Sequence, residues 1–235
     1  MITSLNMNKF GGKDGDSNGI NWAHHYIDSI IEFINDKHTT KNDCIILQEV
    51  NMREKPHQYF ISKLPNNLKI HYPSNLKNKK PYGCTIAITT KEGSWEQKNS
   101  LDDGINYCNK TIQLLNTETD LTVLGVHMNG VSDEHAKDLW DKLIQFSSTN
   151  NKFLIIGDFN AYKEGDENYE VFNTLSKNYE LDAWVKSGRD KSTRTFEGNT
   201  RIDYALTNVE FQTIDITNHL IDSDITDHEA VTIEY

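Results

Sequence analysis

The chain is poor in cysteine and in positive charge, and it has no long apolar run. Cys44, Cys84 and Cys108 are its three cysteines. An odd number, with Cys44 inside a strand-like apolar run, argues against a disulfide framework and for reduced thiols in a cytoplasmic protein. No Cys/His cluster has zinc-ligand spacing, which excludes a structural zinc module. Nothing approaches the length of a transmembrane span, and no low-complexity tract or long linker interrupts the 235 residues. Strand-like residues begin close to Met1, so no signal peptide is expected. Lysine and arginine total 24 against 35 acidic residues, a formal net charge of −11. That sign opposes broad non-specific affinity for nucleic acid.

What the chain does have is short apolar runs that end in polar groups. Cys44-Ile45-Ile46-Leu47 leads to Glu49, Leu121 to Val126 leads to His127, and Phe153-Leu154-Ile155-Ile156 leads to Asp158. Such runs read as buried strands delivering side chains to one rim of a sheet. Six fragments share this character: Leu5-Asn6-Met7-Asn8, Leu47-Gln48-Glu49, Gly125-Val126-His127, Gly157-Asp158-Phe159-Asn160, Arg201-Ile202-Asp203-Tyr204 and Thr226-Asp227-His228. A single fragment has a plain explanation as a strand-ending turn. Three of their carboxylates and one amide can bind a hard divalent metal through oxygen, with two histidines left for proton transfer.

The fragments resemble the motifs of the endonuclease/exonuclease/phosphatase superfamily, which includes pancreatic-type deoxyribonuclease, AP endonucleases, deadenylases, sphingomyelinases and inositol phosphate phosphatases. They stand in that family's order from Asn6 to His228, and Thr226 replaces the usual serine while keeping its hydroxyl. The resemblance implies an α/β fold, a four-layer α/β/β/α sandwich of two packed mixed sheets flanked by helices, with residues 1–235 as one domain. It also implies Glu49 as direct ligand of Mg2+, with Asn6 and Asp227 close to the same ion and Mn2+ a possible substitute. So sparse an oxygen set suits magnesium better than zinc. His228, oriented by Asp203, is the candidate general base. The alternative for Asp203 is an ion pair with Arg201. Asp158 and Asn160 would position the attacking water and a non-bridging phosphate oxygen, and His127 would protonate the leaving oxygen or hydrogen-bond the phosphate.

Periodicity supplies a coarse element order. Helices are expected near 20–37, from Pro56 through Leu64, around Ala136–Ile144 with Ser132 or Asp133 near the start, and near 168–177. Strands are expected near 84–90 and 111–115, with Lys91–Asn106 as loop or hairpin. Trp22 and Trp140 read as core fillers, and His24, His25 and His135 as solvated helix residues. His38, His57, His71 and His219 belong to no motif.

Substrate is argued from uneven charge and from departures within the family. Lys69, Lys77, Lys79 and Lys80 form one acid-free stretch. Lys186, Arg189, Lys191, Arg194 and Arg201 outnumber Asp190 and Glu197 in another. The second adjoins Asp203 and contains Thr195-Phe196, where the family often places a Thr-aromatic pair near the substrate. Arg194 and Phe196 are therefore candidate substrate contacts, as are Asn8 and Asn129. AP endonucleases carry Tyr-Xaa-Pro where this chain has Val126-His127-Met128, which disfavours abasic-site repair. Asn109-Lys110 is closer to the Asn-Lys-Gly of sphingomyelinase-like members than to the Arg-Glu of deoxyribonuclease. That nominates Lys110 as a phosphate contact and leaves the orienting partner of His127 open. No exposed apolar hairpin favours a lipid, since Trp95 stands alone among polar residues. The reading is a monomeric, Mg2+-dependent phosphodiesterase, first a nuclease hydrolysing DNA or RNA by metal-assisted attack of water. The alternatives are a phosphatase or sphingomyelinase-like phospholipase acting on a small phosphoester or lipid headgroup, and a catalytically silent binding domain.

Overall fold

A computed structural model describes residues 1–38, 40–74, 76, 83–101, 109–128, 134–162 and 164–235, residues 134 and 135 by backbone alone. Among them, one sheet contains β1 (Ile2–Asn6), β2 (Cys44–Val50), β3 (Leu68–His71), β4 (Cys84–Thr90), β10 (Thr213–Ile216) and β11 (Val231–Glu234), in the order β10-β11-β1-β2-β4-β3. The other contains β5 (Trp95–Lys98), β6 (Thr111–Asn116), β7 (Leu121–His127), β8 (Phe153–Asp158) and β9 (Asp203–Thr207), in chain order. The pairs β1/β2 and β7/β8 are parallel and the remaining neighbours antiparallel, so both sheets are mixed. The principal helices are α1 (His24–Lys37), α2 (Glu54–Lys63), α3 (Glu134–Thr149) and α4 (Glu167–Leu175), and a short α5 (Ala183–Lys186) precedes β9.

Alternation along the strands builds three apolar layers. Ile46 of β2 and Ile2 of β1 meet Ile112, Val123, Leu154 and Ile156 between the sheets. The neighbouring residues Ile45 and Leu47 point the other way and pack against Ile27, Ile30 and Ile34 of α1 and Phe60 of α2. In the second sheet Leu124 and Ile155 face Leu139, Trp140, Leu143 and Phe172 from α3 and α4. Strands apolar on both faces read as continuous runs. The result is the expected α/β/β/α stack. Gly125 lies where the two sheets approach closely, because a Cβ there would stand 2.3 Å from Ile46 Cγ2.

Several boundaries differ from expectation for local reasons. Helix α1 starts at His24, not Ile20, and Ile20 is 62% exposed. The Asp16 carboxylate accepts hydrogen bonds from the amides of Asn18, Ile20 and Asn21, which fixes that segment as a loop. Trp22 therefore precedes the helix, half-buried against the core, whereas Trp140 is fully buried as a helical core residue. Pro56 lies in the first turn of α2 and does not open it. Helix α4 begins after Asp166, whose side chain accepts from Asn168 N, and ends before the left-handed run Lys177, Asn178 and Tyr179. The Lys91–Asn106 stretch contains β5, paired with β6, and Trp95 is buried between the sheets. The expected start of α3 at Ser132 or Asp133, and Cys108, lie outside the described residues. Cys44 and Cys84 are buried free thiols.

His71, outside every motif, is 2% exposed and its Nε2 lies 2.9 Å from Thr89 Oγ1. Burial, aided by Lys69, pushes its pKa down to about 4. Between pH 6.5 and about 4 the unfolded chain therefore takes up a proton that the folded chain refuses. Stability from this group is complete above that window and is lost as pH falls through it. The loss should reach up to about 3 kcal/mol. Urea unfolding at pH 7 and pH 4 checks this: His71→Gln should flatten the difference, and an equal pH dependence in both proteins would refute it.

Candidate active site

Topology brings the six fragments to one rim. Parallel β1 and β2 bring Asn6 and, near the end of β2, Glu49 to it, and parallel β7 and β8 end at His127 and Asp158. Strand β9 runs antiparallel to β8, so it begins at the same rim, with Asp203 opposite Asp158. The segment entering β11 supplies Thr226 to His228, and Thr226 Oγ1 donates to Asn6 O at 2.8 Å, tying the last fragment to the first. The polar ends of the strands thus enclose a cleft of about 430 Å³ lined by Asn6, Asn8, Lys9, Glu49, His127, Asp158, Asn160, Tyr162, Phe196, Asp227 and His228.

Unusual backbone aims several of these side chains. The β2–β4 register shifts between Leu47 and Val50, and within that bulge Glu49 has a φ of 52°. Asn160 sits at a φ of 50°. Gly157 has a φ of 148°, and any Cβ there would stand 2.0 Å from Val126 O, so the β7–β8 approach requires glycine. Left-handed non-glycine residues clustered at one site are a signature of function, since packing must hold them there.

Hydrogen bonds divide the site into two parts. In the first, Asp203 Oδ2 lies 2.9 Å from His228 Nδ1, both residues buried, and Nε2 faces the cleft 3.8 Å from Asp227 Oδ1 and 4.0 Å from Asp158 Oδ2. Thr195 Oγ1 fixes Asp203 by accepting from the amides of Ile202 and Asp203, and the Phe196 ring lies 5.1 Å from that of His228. Burial opposes charge on His228, but Asp203, Asp158 and Asp227 outweigh it and raise its pKa to about 10. Asp158 accepts from Asn6 Nδ2 at 3.0 Å and from Asn160 N at 2.9 Å. Burial and the charge of Asp203 push its carboxyl well above the usual range. Burial raises Asp227 to about 6.

In the second part, Glu49 pairs with the Lys9 ammonium and stands 3.3 Å from His127 Nε2. Burial would raise the Glu49 pKa, but the ammonium groups of Lys9 and Lys110 hold it below the usual carboxylate range, so it stays ionised. Lys110 Nζ lies 3.2 Å from His127 Nδ1. An ammonium only donates, so Nδ1 accepts and the ring proton sits on Nε2. Burial and the charges of Lys110 and Lys9 depress the His127 pKa to about 3 against the pull of Glu49. His127 is thus a neutral donor directed at the cleft.

The oxygen donors fit a divalent cation. Glu49, Asp227, Asp158 and the Asn6 amide share one cleft, no cysteine among the described residues lines it, and a cationic group already rests on Glu49. Donor atoms of Asp158, Asp203 and His228 also lie within 4.8 Å of one another. The His228–Asp203 hydrogen bond engages atoms that a metal would need, so this cluster reads as proton-handling.

Among the expected substrate contacts, Asn8 and Phe196 line the cleft and Asn129 lies outside the described residues. Arg194 is placed elsewhere, its guanidinium 3.3 Å from Asp222. The same correction extends to its basic stretch, none of whose cations lines the cleft. Arg201 is buried against Asp182 rather than Asp203, Arg189 stacks on Trp184, and Lys191 and Lys186 lie over Tyr179 and Phe211. Lys110 stands behind His127 and not among the lining residues, which makes it the orienting partner that sequence left open. Lys77, Lys79 and Lys80 lie outside the described residues. Lys9 and Tyr162 were missed. Their only signal was position, each close to an asparagine of a motif.

Comparison with known proteins agrees with this fold. The family model described as Endonuclease/Exonuclease/phosphatase family matches residues 3–228. No curated protein matches the sequence. Among solved structures, an endonuclease/exonuclease/phosphatase from Bacteroides vulgatus aligns with a TM-score of 0.65 at 16% identity, covering 99% of this chain and 97% of its own. Truncated TDP2 from Caenorhabditis elegans gives 0.64 at 18%, covering 100% and 97%. An AP endonuclease from Archaeoglobus fulgidus gives 0.63 at 11%, covering 100% and 98%. At such identities the structures speak for the fold, and the family model speaks for descent. The chain belongs to the endonuclease/exonuclease/phosphatase family, a family of phosphoric ester hydrolases.

Proposed function

We propose that the protein is a Mg2+-dependent phosphodiesterase whose substrate is a polynucleotide. The observation that carries the reading is the convergence in one cleft of ionised Glu49 with the buried His228–Asp203 pair. Mg2+, held by Glu49 with Asn6 and Asp227 beside it, would supply Lewis acidity at the phosphate oxygen. His228 Nε2 accepts the proton of the attacking water once the carboxylate charge around it is neutralised, and Asp203 stabilises the imidazolium. Asp158 and Asn160 position that water, and neutral His127 donates a hydrogen bond to the phosphate. Two aromatic side chains favour a nucleic acid over a small ester. Tyr162, 53% exposed, and Phe196 both line the cleft and offer faces on which bases can stack.

The test is a side-by-side assay of purified protein on DNA, RNA, a small bis-ester, phosphomonoesters and sphingomyelin. Polynucleotide cleavage is expected, abolished by EDTA and restored by Mg2+ or Mn2+. Full activity in EDTA would overturn the metal mechanism. Turnover confined to phosphomonoesters or sphingomyelin would move the substrate to the small-molecule alternative, and no turnover on any would favour a silent binding domain.

A further inference from the structure

The segment between β1 and α1 holds an improbable backbone. Asn8, Lys9 and Phe10 have φ values of 39°, 56° and 65°, three consecutive side-chain-bearing residues in the left-handed region. The turn is held from outside. Asn8 Nδ2 donates to Gly12 O at 2.9 Å, Asn51 Nδ2 donates to Lys9 O at 3.0 Å, and Phe10 is fully buried. What it delivers is the Lys9 ammonium onto Glu49, itself left-handed within its bulge. The two side chains are 13% and 18% exposed, so this is no solvated surface pair. A glycine would take the Lys9 conformation without penalty, yet the position carries a long cation. Strain held in place by its surroundings and aimed at a functional carboxylate calls for a role.

We propose that Lys9 is a built-in counter-cation of the metal centre, which neutralises Glu49 until a divalent cation displaces it and then binds the phosphate of the substrate. The inference rests on the reading of Glu49 as a metal ligand in a phosphoester hydrolase. Glu49, Asp158 and Asp227 share one cleft, and carboxylates gathered out of water repel one another strongly. An internal ammonium relieves that repulsion and keeps the site assembled without metal. A divalent cation must then compete for Glu49, so its affinity is lower than the oxygen donors alone would give. Displacement does not remove Lys9 from the cleft, because the turn fixes its stem there. Its three N–H donors, with no acceptor, then suit phosphate oxygens.

The test compares wild-type protein with Lys9→Gln and Lys9→Gly, the glycine variant being compatible with the left-handed turn if the glutamine variant folds poorly. Calorimetric titration of the substrate-free proteins with Mg2+ and Mn2+ is the first readout. Loss of the ammonium should tighten binding by about tenfold or more and enlarge the metal-induced rise in Tm. Inorganic phosphate is the second probe, added to metal-saturated protein. Its affinity should fall, and kcat/KM on the substrate found by the side-by-side assay should fall by about 10²-fold. Unchanged or weaker metal binding in both variants would overturn the counter-cation role. Tighter metal binding with unchanged phosphate affinity would overturn the second half. If wild-type protein hydrolyses no ester while the metal titrations differ as expected, the proposed activity fails and the counter-cation assignment stands. Hydrolysis with identical metal titrations fails the inference alone.

Discussion

His228→Ala and Asp203→Asn are each expected to lower turnover by about 10²–10⁴ while leaving the protein folded. His228 presents Nε2 to the cleft because Nδ1 is held 2.9 Å from Asp203 Oδ2, with both residues buried. Asparagine at 203 keeps the shape but loses the charge that fixes the tautomer and supports the imidazolium, so the remaining ring is a poor base. The double variant should be scarcely worse than either single one, since a unit broken once is already broken. Single-turnover rates of the four proteins measure this directly. Multiplicative losses would mean that the two residues act independently, and the pair would lose its assignment as base and orienter.

Glu49→Gln should be at least as damaging, on the order of 10³ or more, because it deletes charge without volume at the carboxylate placed to hold the metal. Its reach follows from position. Glu49 contacts both Lys9 and His127, so the carboxylate organises a cation and a hydrogen-bond donor besides its proposed role toward the metal. Circular dichroism in EDTA should match wild type, and titration with Mn2+ should reveal weakened binding. Wild-type turnover with wild-type Mg2+ dependence in this variant would remove Glu49 from the centre of the mechanism.

The elements that deliver the site were legible because strand alternation and motif order are local properties of the chain. Cys44 to Leu47 and Phe153 to Ile156 announce buried strands, and the polar residue after each is where the rim begins. What escaped depends on relations that no local pattern carries. Lys9 looks like any lysine after an asparagine, and only a left-handed turn sends it inward. Lys110 and His127 are 17 residues apart and meet because their strands pair, which reverses the chemistry that a carboxylate orienter would give His127. Arg201 belongs in sequence to a cation-rich stretch beside Asp203, yet it finds Asp182 on the turn before α5 and is buried there. Arg194 stands beside the motif residues in sequence, but its side chain turns to Asp222. Proximity along a chain is a poor guide to direction in space.

The pairing of β1 with β11 has a consequence for how the protein comes into being. Ile2 lies opposite Ile233, so β1 waits for a strand made much later in synthesis before one of its edges is covered. Thr226 to His228 arrive just ahead of that closing strand, and Thr226 fastens to Asn6. While the ribosome is still at work, the N-terminal half can pair β1 with β2 and lay α1 over them, but one edge of β1 stays open. Contacts between segments so far apart along a chain are slow to form. Until His228 is made, the chain carries Glu49 without the histidine proposed as base. A chain that stops short of Thr226–His228 and β11 therefore keeps an open edge on β1 and lacks the histidine that the proposed mechanism uses as base.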